Sequence, residues 1–179
     1  MIVILGPTCT GKTSLAEKLC LKFNGEIISA DSRQVYKHMD VGTGKVHNST
    51  FKVKSSNTLK VLGDRVFSTH LQDVVLPNRN YSVAQWAKEA QAAISEIGSR
   101  GKTAFLVGGT GFYIDVLLGN RQLAGVAPDY SLRSKLEKLS CEELLDELSK
   151  LNPEAAKTID KKNKRRLVRA VEVSTTDDR

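Results

Sequence analysis

The stretch Gly6-Pro7-Thr8-Cys9-Thr10-Gly11-Lys12-Thr13 carries the plainest chemistry in this sequence. It fits the pattern G-x-x-x-x-G-K-[ST], in which glycines let the backbone curl until successive N–H groups point inward. Lys12 brings a full positive charge to a terminal phosphate, and the Thr13 hydroxyl is suited to ligating Mg²⁺. A helix starting there adds the partial positive charge of its N-terminus. The loop therefore describes a ligand with two linked phosphates, either a nucleotide such as ATP or another diphosphate. Phosphate loops are usually matched by an acidic residue at the end of a later buried strand. Here the candidate strand Thr103–Val107 runs instead into Gly108-Gly109-Thr110-Gly111, which counts against an ordinary ATPase or GTPase.

Two further groups could act. Asp31 follows the apolar run Ile27-Ile28 and Ser29-Ala30. In a parallel sheet the strand ends on one side form the ligand crevice, so a carboxylate there faces the phosphates. It could ligate a metal, anchor a substrate, act as a general base or simply cap a turn. Lys161, Lys162, Lys164, Arg165, Arg166 and Arg169 crowd together with no acid among them. Such a run is either a solvated helix face or a phosphate-binding one.

The elements that must hold these groups are readable in part. Ile2–Leu5 is a short apolar run before a glycine, the pattern of a strand buried on both faces. After the loop, Leu15, Leu19 and Phe23 predict an amphipathic helix stopped at Gly25. Glu26–Ala30, His70–Val75 and Thr103–Val107 are strand candidates. Lys45–Arg65 reads as loop, with weak hairpin signals at Phe51–Lys54 and Leu59–Leu62. Ser82 with Gln85 forms a capping box for a helix through Trp86, Ala90 and Ile97, ending at Gly98. Trp86 falls on its apolar face, which assigns it to the core.

After Gly119 strand signals vanish. Ser140 with Glu143 starts a helix carrying Leu144, Leu145, Leu148 and Leu151. Asn152-Pro153 starts another, and Asn163 caps a last one through Leu167 and Val171. The fold expected is α/β: a P-loop NTPase-like parallel sheet flanked by helices over residues 1–119, followed by a small helical region over 120–179.

Composition sets outer limits. The 179 residues carry 27 Lys plus Arg against 20 Asp plus Glu, a net charge of +7 that suits an anionic partner. No apolar run approaches the roughly 20 residues of a membrane span. Three cysteines, Cys9, Cys20 and Cys141, have neither zinc nor redox-pair spacing, and His38, His47 and His70 show no metal pattern. Reduced thiols and no visible signal peptide place the chain in the cytoplasm, with an organelle left open.

The run Asp31-Ser32-Arg33-Gln34-Val35-Tyr36-Lys37-His38-Met39-Asp40-Val41-Gly42-Thr43-Gly44-Lys45 closely resembles a segment of the tRNA dimethylallyltransferases, also called tRNA isopentenyltransferases. Gly6–Thr13 resembles their phosphate loop, with Cys9-Thr10 in place of the more usual Ala-Ser. Gly108–Tyr113 resembles a third motif, and Arg165–Val173 resembles the family's basic helix. The segment Val46–Ser68 fits the family pattern poorly, and family members continue well past the basic helix. The resemblance therefore implies a short or C-terminally truncated member.

It implies transfer of a dimethylallyl group from dimethylallyl diphosphate to the N6 amine of an adenosine beside the anticodon of tRNA, with Mg²⁺. Asp31 would be the general base. Gly6–Thr13 would cradle the diphosphate, with Thr8 bonding the donor and Lys12 neutralising charge. Ser32, Arg33, Gln34, Thr110, Arg133, Arg165, Arg166 and Arg169 would contact the anticodon stem-loop. A small P-loop kinase and a truncated, inactive tRNA-binding remnant are the alternative readings. A parallel sheet without the family's C-terminal part would have an uncovered edge, inviting self-association.

Overall fold

The computed structural model describes residues 1–45, 53–54, 57–62 and 65–177. They divide into two compact units, Met1–Leu123 and Ala124–Arg179. The first unit contains β1 (Ile2–Leu5), α1 (Lys12–Lys22), β2 (Gly25–Ser29), β3 (Val53–Lys54), β4 (Asn57–Leu62), β5 (Arg65–His70), α2 (Val83–Ser99), β6 (Thr103–Gly108) and α3 (Gly111–Leu117). The second contains α4 (Tyr130–Leu136), α5 (Cys141–Leu151), α6 (Pro153–Thr158) and α7 (Lys164–Asp177). A parallel sheet flanked by helices, followed by a helical region, is thus the architecture the motifs require.

The sheet order is β1-β6-β2-β5-β4-β3. β1, β6, β2 and β5 are mutually parallel, and β4 and β3 extend the sheet antiparallel. The weak hairpin signals thus mark real strands at Val53–Lys54 and within Asn57–Leu62; Phe51 and Lys52 lie outside the described residues. The central strands alternate their side chains between two cores. Ile28 and Leu106 meet Trp86, Ala90 and Ile97 of α2 with Tyr113 and Ile114 of α3 on one face. Ile27, Phe105 and Val107 meet Ala16 and Cys20 of α1 on the other. Burial pushes the Cys20 thiol up to about 12, with Glu26 and Glu17 adding to it, so this cysteine is an inert core group.

Several sequence expectations are corrected. Among the described residues β1 is an edge strand whose one neighbour is β6, and Ile2, Val3 and Leu5 are 45, 37 and 56% exposed rather than buried on both faces. In α1 the sheet is met by Ala16 and Cys20, while Leu15 and Phe23 are exposed. The small side chains allow close approach of helix to sheet, and Leu19 packs at the margin of the same core while Leu15 lies outside it. The turn after α1 is made by Asn24 at φ 48°, and Gly25 opens β2. A Cβ at Gly25 would lie 2.3 Å from the Phe105 ring, so glycine is there for the close approach of a side chain. β5 ends at His70 instead of starting there. Leu71 and Asp73 take positive φ, and Val75 makes only an isolated bridge to Tyr36. α2 continues past Gly98 to Ser99, and the chain turns at Gly101 with φ 68°.

The buried carboxylate of Glu26 ties the lower end of the sheet together. It accepts bonds from Arg100 Nη2 (2.8 Å) and Lys102 Nζ (2.8 Å) and lies 2.7 Å from His70 Nε2. Burial alone would raise its pKa, but these partners outweigh it and hold the group down to about 2. The second unit has its own core of Leu136, Leu144, Leu148, Ala156, Leu167, Val168 and Val171. Its helix starts follow the predicted caps: the Ser140–Glu143 box, Asn152 ahead of Pro153, and Asn163 Oδ1 accepting from Arg166 N–H at 3.2 Å.

Two predictions follow from this packing. A Cβ at Gly108 would sit 2.1 Å from the Ala30 carbonyl oxygen, whereas one at helical Gly98 meets nothing within 4 Å. In urea unfolding, Gly108→Ala is expected to cost about 1–3 kcal/mol or more, and Gly98→Ala to gain about 0.5–1 kcal/mol. Glu26 has a depressed folded pKa, so its contribution is complete above its ordinary value of 4.5 and fades as pH falls through about 2. Glu26→Gln should therefore lower stability by on the order of 2–3 kcal/mol at pH 7 and flatten the acid limb of a stability–pH curve.

Candidate active site

Three neighbouring parallel strands end together, and each releases one of the motif segments. The register pairs Leu5 with Gly108 and Ser29 with Val107. Gly6–Thr13 therefore leaves β1, Gly108–Gly111 leaves β6 and Asp31–Gln34 follows β2, all at the same sheet edge. β6 lies between the other two, which separates the exits of β1 and β2 by two inter-strand spacings, about 10 Å. That gap is a span of substrate size rather than a direct contact. Gly109 closes one side of it, since a Cβ there would stand 3.5 Å from the Gly6 carbonyl oxygen.

The phosphate loop has the curl its sequence requires. Cys9 and Gly11 take φ of 63° and 80°, left-handed positions flanking Thr10. Alternating conformations of this kind turn successive amides toward one concavity. Thr10 Oγ1 donates to the Pro7 carbonyl at 2.8 Å, and Lys12 Nζ donates to the same carbonyl. Lys12 is thus folded onto the loop it serves. Thr13 lies in the first turn of α1, and Thr8 is exposed at the loop apex.

Among the described residues no group of three or more His, Cys, Asp or Glu side chains gathers as a metal cage. The curled loop with a threonine hydroxyl at its helix start fits a Mg²⁺ ion held chiefly by ligand phosphates and water. Among the described residues no helix is long and apolar enough to cross a membrane.

Asp31 is half-buried and turns on one oxygen. Oδ1 accepts from Arg33 N–H at 2.8 Å and Gln34 N–H at 3.4 Å, which makes Asp31 the cap of its own turn. Oδ2 has no hydrogen-bond partner among the described residues. The turn fixes the carboxyl plane while leaving one oxygen to act. Tyr113 lies near it: burial raises that phenol's pKa, and the neighbouring Tyr36 and Asp31 raise it further.

The other residues of the segment have unequal roles. Thr110 Oγ1 accepts from Ser32 N–H at 3.2 Å, joining the β2 and β6 exits. Gln34 is spent on structure, accepting from Ser29 Oγ at 3.1 Å and donating to the Thr43 carbonyl at 3.0 Å. Arg33 is exposed, and its guanidinium makes no bond among the described residues. Trp86, fully buried as expected, packs on Tyr113 with centroids 4.8 Å apart and donates to the Ser29 carbonyl at 3.0 Å.

Lys45 was not singled out by its sequence position. It is buried, bonds Asp73 Oδ1 (2.5 Å) and the Tyr36 carbonyl, and stands 3.3 Å from Asp40 Oδ1. It pins the end of the Asp31–Lys45 segment to the stretch after β5. A lysine closing a glycine-rich loop next to aspartates is the signal that could have marked it.

In the second unit the candidate cations divide. Arg165 and Arg166 are exposed at the start of α7, without side-chain partners among the described residues. Arg133 and Arg169 instead hold the buried carboxylate of Glu172, Arg133 through Nε at 2.9 Å and Nη2 at 2.8 Å. Glu172, three residues beyond Arg169, is the first acid after the basic run and was missed.

Comparison with known proteins is consistent with this geometry. The profile of the family described as IPP transferase matches residues 34–179. A "tRNA dimethylallyltransferase" of Endomicrobium trichonymphae is 45% identical over 179 residues, covering 100% of this chain and 57% of the relative. A "tRNA dimethylallyltransferase 2" of Geotalea uraniireducens is 42% identical over 97% of this chain and 53% of the relative. The chain thus spans about half the length of the curated relatives it matches. Among solved structures, a eukaryotic dimethylallyltransferase acting on tRNA superposes with a TM-score of 0.75 at 28% identity, covering 99% of this chain and 44% of that one. A full-length tRNA isopentenylpyrophosphate transferase from Bacillus halodurans does so with a TM-score of 0.57 at 36% identity, covering 97% and 55%.

Proposed function

We propose, since this chain belongs to the IPP transferase family, that it is the donor-binding and base-bearing part of a tRNA dimethylallyltransferase. The reaction is transfer of a five-carbon prenyl group from dimethylallyl diphosphate to the exocyclic amine of an adenosine in the anticodon loop of tRNA. The observation that carries this reading is the shared edge: a diphosphate cradle leaves β1 and a carboxylate with one unengaged oxygen follows β2, about 10 Å apart.

The chemistry suits that layout. Breaking the allylic carbon–oxygen bond builds negative charge on a leaving diphosphate. The loop amides and Lys12 stabilise it, with Lys12 moving from the Pro7 carbonyl to the diphosphate. Thr8, at the loop apex, is available to bond the donor. The Thr13 hydroxyl would help hold a Mg²⁺ ion, which when bound would add Lewis-acid neutralisation of the same charge. An adenine amine is a poor nucleophile because its lone pair is delocalised into the ring. Asp31 Oδ2 accepts its proton during attack. The adenine must first leave its stack, at a cost of a few kcal/mol. Arg33 is free to meet the displaced strand, while Ser32 and Thr110 shape the floor through their mutual bond. Arg165 and Arg166 give salt-dependent, sequence-tolerant contacts to tRNA phosphates. Action on tRNA suits the cytoplasm, or an organelle that keeps its own tRNA.

A kinase reading is less well supported, because β6 ends in Gly108-Gly109 and offers no carboxylate beside the loop. With unmodified tRNA, Mg²⁺ and labelled dimethylallyl diphosphate, label transfer to RNA is expected. Asp31→Ala should lower it by about 10²–10⁴-fold while pyrophosphate binding by calorimetry persists, and Lys12→Ala should weaken both. Retention of tRNA without label transfer by the wild-type chain would favour a binding-only role. Phosphoryl transfer from ATP to a small acceptor would favour a kinase.

Among the described residues no strand pairs with the outer edge of β1. Four apolar residues without proline, charge or bulge form an edge that protects itself poorly. We propose that a second copy pairs there, which sedimentation velocity would read as a concentration-dependent dimer abolished by Val3→Pro. A monomer at every concentration would contradict it.

A further inference from the structure

Glu172 occupies an unusual position for an acid on a basic helix. It is 0% exposed, and its carboxylate accepts four bonds. Oε1 takes Asp129 N–H at 2.7 Å and Arg133 Nε at 2.9 Å, and Oε2 takes Arg133 Nη2 at 2.8 Å and Arg169 Nη1. Arg169 Nη2 also donates to the Val126 carbonyl at 2.7 Å. The pKa of Glu172 is set by opposing influences: burial raises it, and the two arginines with the Asp129 amide lower it further, for a net depression. The carboxylate is thus ionised and fully engaged.

The two cations are not hidden with it. The side chains of Arg133 and Arg169 are 30% and 36% exposed, against 0% for Glu172. Glu172 is buried while both guanidinium side chains reach solvent, so the cluster presents its cations outward, with the exposed Glu137 near Arg133. Each guanidinium has five N–H donors and uses two of them here, leaving three apiece for an outside acceptor. Helical spacing sets Arg169 between Arg165 and Arg166 around α7. A guanidinium held by Glu172 therefore sits between two exposed arginines that have no side-chain partner among the described residues.

We propose that Glu172 is a positioning residue for RNA: it locks Arg133 and Arg169 into a rigid two-guanidinium fork that receives a backbone phosphate of the substrate RNA. This rests on the tRNA reading above, and it assigns work to an acid that charge counting would treat as a hindrance. A guanidinium held in place loses little freedom when it binds, and its planar fork matches phosphate oxygens bidentately.

The test turns on sign. Glu172→Gln keeps the shape but removes a negative charge from the RNA-binding unit. If charge alone mattered, an unmodified anticodon stem-loop RNA would bind more tightly. Positioning predicts the opposite: affinity of the full chain at about 150 mM salt falls roughly fivefold or more, and the slope of log affinity against log salt shrinks by about one phosphate contact. Arg133→Lys with Arg169→Lys keeps every charge but loses the fork, and the same fall and the same shallower slope are expected. Melting curves by circular dichroism accompany each variant; if Glu172→Gln does not fold, the lysine pair decides.

Equal or tighter binding with an unchanged slope in a folded variant overturns the proposal and leaves the tRNA reading intact. Failure of the wild-type chain to bind the stem-loop at all overturns both.

Discussion

The close passage of β6 beside the end of β2 is the constraint on which the rest of this structure depends. Gly108 passes so near the Ala30 carbonyl that no side chain fits between them. The same stretch of β6 takes Leu5 on its other side. This tight three-strand junction brings the phosphate loop, the glycine-rich turn and Asp31 out at one edge. Each segment alone is an ordinary turn. Held at neighbouring strand ends with fixed register, they are the two poles of the proposed reaction site: the loop for accumulating negative charge, the carboxylate for accepting a proton.

The support behind that edge is mostly buried polar chemistry. Trp86 fills the core under β2 and spends its N–H on the Ser29 carbonyl, just before the Asp31 turn. Gln34 bridges Ser29 to Thr43, and Lys45 secures the far end of the segment on Asp73. At the opposite end of the sheet Glu26 gathers Arg100, Lys102 and His70. Charged groups therefore fix the ends of elements, while apolar faces set their separation. The second unit repeats the device in Glu172, whose arginines, like Arg100 and Lys102, stay in contact with water.

Much of this was legible in the sequence, for identifiable reasons. Phosphate-loop spacing and helix caps are local rules, so Gly6–Thr13, the Ser82 and Ser140 boxes, Asn152-Pro153 and Asn163 could be read from a few residues each. The central strands β2 and β6 were legible because short apolar runs bordered by glycine need no partner to be recognised. What failed depended on neighbours distant in sequence. β1 has the composition of a buried strand but lies at an edge. In α1 the leucine repeat drew the eye, yet the sheet is met by Ala16 and Cys20, whose small size shows no signal in a periodicity. Gly25 looked like a helix stop because its real constraint, the ring of Phe105, is 80 residues away. Glu172 was missed because a lone acid after a basic run conveys nothing until Arg133 folds onto it.

The central claim is that one diphosphate ester spans the gap between the loop of β1 and the carboxylate after β2. A crystal structure of the chain with Mg²⁺ and a non-reactive thiolo analogue of dimethylallyl diphosphate examines it directly. The account predicts the diphosphate inside the Gly6–Thr13 curl, Lys12 swung from the Pro7 carbonyl onto it, and the prenyl carbon directed toward Asp31 Oδ2. A diphosphate bound elsewhere, or a prenyl chain leading away from Asp31, would contradict it.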